Sequence, residues 1–147
     1  MEIPFNKPFI IGKELYYIAQ AVLNGKLSGN GTFTKKCQEF LERSNGISRV
    51  LMTHSCTSAL EMAALLSEVG PGDEVILPSF TFVSTANAFA LRGAQLRFVD
   101  IKEETLNMDE ALAEAAVTRR TKVICPVHYA GIPCDLDRIM ALAEKHR

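Results

Sequence analysis

Short apolar runs alternate with helical stripes over the last two-thirds of the chain, and that alternation decides the fold class. Glu74-Val75-Ile76-Leu77-Pro78, Gln95-Leu96-Arg97-Phe98-Val99-Asp100 and Lys122-Val123-Ile124-Cys125-Pro126-Val127 each read as a strand, and Val50-Leu51-Met52, within 49–53, reads as one ahead of them. Helices are predicted over about 57–69, 83–92, 108–116 with Asn107 as N-cap, and Leu136 to Lys145. The segment 57–69 carries charge only at Glu61 and Glu68, so it is expected to be buried nearly all round, between a sheet and another layer. Strands and helices alternating at this spacing mean βαβ units, an α/β fold and a mostly parallel sheet with flanking helices. Ahead of it, residues 3–12, with Pro4, Pro8 and Gly12, are expected to be extended or irregular. A helix over 13–24 ends at Gly25, a small-residue loop follows, and a second helix from 32–34 to Arg43 stops at Asn45-Gly46.

Ligands of parallel sheets lie beyond the carboxyl ends of the strands. That puts His54–Ser58, Ser79–Phe82 and His128–Gly131 along one rim. At the first of these, a strand turning through Ser55-Cys56-Thr57 into a helix leaves amide donors suited to a phosphate; on local pattern alone, Ser55 or Thr57 reads first as the cap of a core helix. Phe80 and Phe82 either cover a flat ring by offset stacking or fill core. His128, with Tyr129, reads as an acid or base, or as a hydrogen-bonded structural histidine. Together the three loops describe a pocket for a phosphorylated planar ligand.

Other classes fall away. A net charge of −1 gives no electrostatic case for nucleic acid or an anionic membrane. No apolar run reaches the length of a membrane span, and Met1 to Lys7 lacks signal-peptide organisation, so a cytosolic protein is the default. Length alone suggests one domain. Cys37, Cys56, Cys125 and Cys134 show no paired metal-ligand spacing; three of them read as small buried hydrophobes, with Cys56 the one candidate for a reactive thiol. Gly29-Asn30-Gly31 suggests a dinucleotide loop, but Thr34 stands where the third glycine belongs and the loop lies between two helices. A linker or a substrate-facing loop remains.

Thr53-His54-Ser55-Cys56-Thr57-Ser58-Ala59-Leu60-Glu61-Met62-Ala63, the run from Gly72 to Ala88 and Pro126-Val127-His128-Tyr129-Ala130-Gly131 resemble the DegT/DnrJ/EryC1/StrS aminotransferases, as do Ile3 to Pro8 and the Gly25–Gly31 loop. These are sugar aminotransferases of the type I fold that depend on pyridoxal 5′-phosphate. The resemblance implies that Cys56 and Thr57 hold the cofactor phosphate, that Phe82 stacks on its pyridine ring, and that Ser28, Asn30 and His128 lie near the nucleotide sugar. It is strongest to members that move an amino group from L-glutamate to C4 of dTDP-4-keto-6-deoxyglucose in enterobacterial common antigen synthesis, through a pyridoxamine form of the cofactor. It also implies a homodimer and a sheet order 3-2-4-5-6-7-1. Family members run to well over twice this length, and the Schiff-base lysine and the aspartate paired with the pyridine nitrogen match nothing before Arg147. The 147 residues therefore read as an N-terminal arm plus strands 1–4 of the large domain, expected to be inactive alone and, with strand 1 unpaired, marginal or aggregation-prone. Another keto-sugar, a family dehydratase or a non-catalytic fragment are the rival readings.

Overall fold

The computed structural model describes residue 4 and residues 6–146. Ile3 and Phe5 of the expected extended opening lie outside the described residues. The chain divides into two compact units, Met1–Met52 and Thr53–Arg147.

In the first unit, α1 spans Glu14–Leu23 and α2 spans Thr32–Asn45. The Glu14 carboxylate accepts from the Ile11 and Gly12 amides, at 2.8 Å each, and these bonds hold it below the usual carboxylate range. Gly46, at φ 64°, ends α2, where the Ile47 amide closes on the Glu42 carbonyl. Tyr17 meets Phe33 edge-on at 5.4 Å. Residues 49–53 are not a strand, contrary to their apolar pattern. A strand requires a neighbour's ladder, and here the Val50 amide donates to the Glu42 side chain instead, at 2.9 Å.

The second unit runs α3 (Cys56–Leu66), β1 (Glu74–Pro78), α4 (Val83–Ala90), β2 (Gln95–Val99), α5 (Glu110–Ala116), β3 (Thr121–Ile124), a 3₁₀ turn (Tyr129–Gly131) and α6 (Leu136–Lys145). The sheet is parallel with order β2-β1-β3, which is the 3-2-4 part of the order implied by the family resemblance. β1 is central and buried at every residue. Its side chains alternate: Val75 and Leu77 pack with Ala64, Ala88 and Phe89, while Ile76 packs with Val99, Met108, Ala113 and Leu142. Helices thus cover both faces, α3 and α4 on one, α5 and α6 on the other. Burying each large aliphatic side chain on this strand contributes roughly 1.5–3 kcal/mol.

Two expectations need correction. α3 buries one face only: Ala64 is sealed, whereas Leu65 and Leu66 are 56% and 69% exposed, because among the described residues nothing packs on its outer side. Asn107 does not cap α5. Asp109 does, accepting from the Ala111 and Leu112 amides at 2.8 and 3.2 Å, and the helix starts at Glu110. Of the cysteines, Cys134 is buried and Cys125 half-buried, its thiol pushed up to about 11 by burial; Cys37 and Cys56 are exposed. No helix among the described residues is long and apolar enough to cross a membrane.

Glu74, the first residue of β1, is fully buried. Arg97 grips it through Nε and Nη2, both at 3.1 Å, Thr118 donates to it at 2.7 Å, and Arg120 completes the cluster. The Arg97 and Thr118 hydrogen bonds, with the arginine charges, hold its carboxyl at about 2 against an ordinary 4.5. The folded-state value lies below the unfolded one, so this contribution to stability is complete above about 4.5 and is lost as pH falls toward about 2. Glu74→Gln should therefore lower the melting temperature at neutral pH, and the gap to the unmodified protein should close as acid melts approach pH 2. A gap that stays constant with pH contradicts this account.

Candidate cofactor site at the carboxyl ends of the strands

The site begins at the start of α3. Ser55 has extended backbone, and its Oγ accepts from the Ser58 amide at 3.1 Å, so the capping expectation holds for Ser55. One donor of the first turn is thereby satisfied. The Cys56 and Thr57 amides have no acceptor among the described residues, and they sit at the positive end of the helix dipole. The Thr57 hydroxyl is 2.9 Å from the Ser84 hydroxyl, at the start of α4. Phe82, which precedes that helix, gives it no side-chain cap. Two helix N-termini, one capped at a single amide and one uncapped by any side chain, thus meet through a pair of hydroxyls. His54 Nε2 adds a long contact of 3.4 Å to Ser58 Oγ.

This donor set contains amides and hydroxyls and no carboxylate, which is the chemistry a phosphate dianion requires. Beside it Phe82 is 74% exposed, a large ring held at the start of α4 with little packing of its own. Phe80 instead lies against Tyr129, ring centroids 4.6 Å apart and tilted by 36°. That contact joins the exit of β1 to the exit of β3. The two exits lead to helices on opposite faces of the sheet, so the crevice between these adjacent strands is a topological switch point, where open α/β sheets bind ligands.

His128 lies next along the rim. Its Nδ1 accepts from the Cys134 amide at 3.0 Å, which in the neutral ring leaves the proton on Nε2. That is the hydrogen-bonded structural histidine of the sequence reading, with one ring nitrogen still unengaged among the described residues. Cys56, Thr57, Phe82 and His128 belong to the second unit, and the first three are brought together by the α3 and α4 starts. Ser28 and Asn30 belong to the first unit, where they are exposed in the loop between α1 and α2 and Asn30 adopts φ 60°. Ser84 was missed by sequence reasoning, although a helix opening with Val83-Ser84-Thr85 after an aromatic pair is the same kind of signal as Ser55-Cys56-Thr57. A groove of about 410 Å³ lies elsewhere, along β3 and α6, and is lined mainly by aliphatic side chains such as Val123, Ile124, Ile139 and Met140.

The description of the DegT/DnrJ/EryC1/StrS aminotransferase family matches residues 10–147. The chain belongs to this family. It is 40% identical over 144 residues to the spore coat polysaccharide biosynthesis protein SpsC of Bacillus subtilis (strain 168), covering 98% of the chain and 37% of SpsC. Among solved structures, the PMP-form of Spr1654 from Streptococcus pneumoniae, assigned as a sugar aminotransferase, superposes with a TM-score of 0.86 at 37% identity over 99% of the chain and 36% of Spr1654. The aminotransferase from Psychrobacter cryohalolentis superposes at 0.89 with 31% identity, over 97% of the chain and 37% of that protein. The chain spans little more than a third of the length of the relatives it matches. Structures of this family carry the cofactor in its pyridoxal and pyridoxamine forms.

Proposed function

We propose that these residues form the phosphate seat and ring-stacking surface of a nucleotide-sugar aminotransferase dependent on pyridoxal 5′-phosphate, working as a homodimer in the cytoplasm. The observation that carries this reading is the Thr57–Ser84 junction of two helix starts beside the bare ring of Phe82. The Cys56 and Thr57 amides and the Thr57 hydroxyl bind the phosphate, with the helix dipole assisting, and Phe82 covers one face of the pyridine ring. His128 offers Nε2 to the nucleotide sugar, and Ser28 and Asn30 are assigned to nucleotide-sugar binding from the family resemblance alone. The cofactor supplies the electron sink for amino transfer. Residues 1–147 amount to the N-terminal arm and the first strands of the large domain.

For the substrates, we infer L-glutamate as donor and C4 of dTDP-4-keto-6-deoxyglucose as acceptor. The name of SpsC, a polysaccharide biosynthesis protein, supports a sugar acceptor of this class. Incubating the intact protein with cofactor, L-glutamate and the keto-sugar, and reading the product by mass spectrometry, tests this: an amino-sugar nucleotide is expected, and none with any dTDP-keto-sugar overturns it. Phe82→Ala should weaken binding of pyridoxal phosphate and of pyridoxal alike by about tenfold, the loss of one stacking face. Because Phe82 is mostly exposed, the melting temperature should barely move. Unchanged affinity for both ligands would remove Phe82 from the site.

A further inference from the structure

We propose that Asn107 is the positioning residue of the rim, holding the exit loop of β3 so that Tyr129 stays against Phe80 at the switch-point crevice. Asn107 is 3% exposed, and both its amide nitrogen and its carbonyl oxygen are engaged. Oδ1 accepts from the Tyr129 amide at 2.9 Å, and Nδ2 donates to the Ile132 and Pro133 carbonyls, both at 3.0 Å. One buried amide thus ties both ends of the 3₁₀ turn that carries Tyr129, across more than twenty residues of sequence.

The segments it joins hold backbone that non-glycine residues rarely adopt. Leu106, immediately before it, has φ 58°, and Ala130, in the middle of the clamped turn, has φ 51°. Such conformations persist where surrounding bonds over-determine them, and they concentrate at ligand sites. The turn is pinned from its other side as well: the Cys134 amide donates to His128 Nδ1, and Cys134 Sγ donates to the Val127 carbonyl at 3.1 Å. The consequence falls on the aromatic pair. Tyr129 is the residue whose own amide Asn107 holds, and its ring is the partner of Phe80, so the clamp sets where that ring stands over the carboxyl ends of β1 and β3. This role rests on the proposed function only in assigning the crevice to the sugar substrate.

Asn107→Asp keeps size and the acceptor for Tyr129 but removes both donors, and Asn107→Leu removes all three bonds. Two measurements on the intact protein separate the claims. Nuclear Overhauser contacts between selectively labelled Phe80 and Tyr129 rings report the clamp whatever the enzyme does, and KM and kcat for amino transfer report its use. In Asn107→Asp the ring contact should weaken or vanish, with KM for the keto-sugar raised about tenfold and kcat within about twofold. Asn107→Gln, which retains both kinds of group, should recover part of the contact and part of the KM. Ring contacts that persist in Asn107→Asp overturn the proposal, as do kinetic constants unchanged while the contact is lost. If the unmodified protein transfers no amino group, the proposed function falls and the ring contact alone decides the clamp.

Discussion

Thr57→Val lowers affinity for pyridoxal 5′-phosphate by about tenfold to a hundredfold and leaves affinity for pyridoxal, which lacks the phosphate, where it was. A hydrogen bond to a charged group is worth roughly 1.5–3 kcal/mol, and valine keeps the shape of threonine while losing the hydroxyl. The bond that Thr57 makes to Ser84 is exposed, so its loss should shift the melting temperature by no more than a few degrees. Ser84→Ala should act in the same direction and more weakly, because it orients the Thr57 hydroxyl. Titrations of both ligands, followed by the cofactor's absorbance, make the comparison. Equal losses for pyridoxal and its phosphate would mean that Thr57 shapes the pocket and does not seat the phosphate. The contrast with Phe82→Ala, which should affect both ligands, separates the phosphate end from the ring end.

Leu77→Ala is expected to destabilise the second unit by about 2–5 kcal/mol, as truncation of a sealed aliphatic side chain does elsewhere. Leu77 is inaccessible to solvent, on the central strand, and packed among Ala64, Ala88 and Phe89. With total stabilities of small domains near roughly 5–15 kcal/mol, that loss removes a large fraction of the fold. Urea unfolding measures it directly. A change below about 1 kcal/mol would mean that the layer of α3 and α4 repacks freely around the sheet. Leu65→Ser, on the bare side of α3, should by contrast cost little in this chain.

Much of this arrangement was legible in the sequence, for reasons that differ by residue. The three strands around Val75, Leu96 and Val123 are announced by short apolar runs between turn residues, most completely in β1, which is buried at every residue, while β2 and β3 are only partly covered and carry polar side chains as well. The Ser55 cap follows from its place before an apolar helix, a purely local effect. The strand order 3-2-4 came from family resemblance, since pairing partners are not written in local pattern. Val50-Leu51-Met52 has the composition of a strand and forms none, since composition cannot supply a neighbour. Asn107 misled because Asn is a good N-cap and stands near a helix start. Asp109, two residues on, took that role, and the partners of Asn107 lie at 129–133, beyond the reach of any periodicity. Ser84 was hidden for the same reason, its meaning depending on Thr57, 27 residues earlier.

The Glu74 cluster also has a bearing on how the strands find one another. Its carboxylate is met by Arg97, two residues along β2 from the position paired with Glu74, and by Arg120, whose carbonyl accepts the Glu74 amide. Sliding β2 by one residue would turn Arg97 to the opposite face and leave a buried carboxylate short of its principal partner. The hydrophobic residues of β1 tolerate such a slip far better, for Val75, Ile76 and Leu77 are apolar on both faces. The charge at the foot of the strand therefore works as an address: it tells an apolar central strand which alignment its neighbours must adopt. By fixing that alignment at the amino end, it determines which side chains emerge at the other.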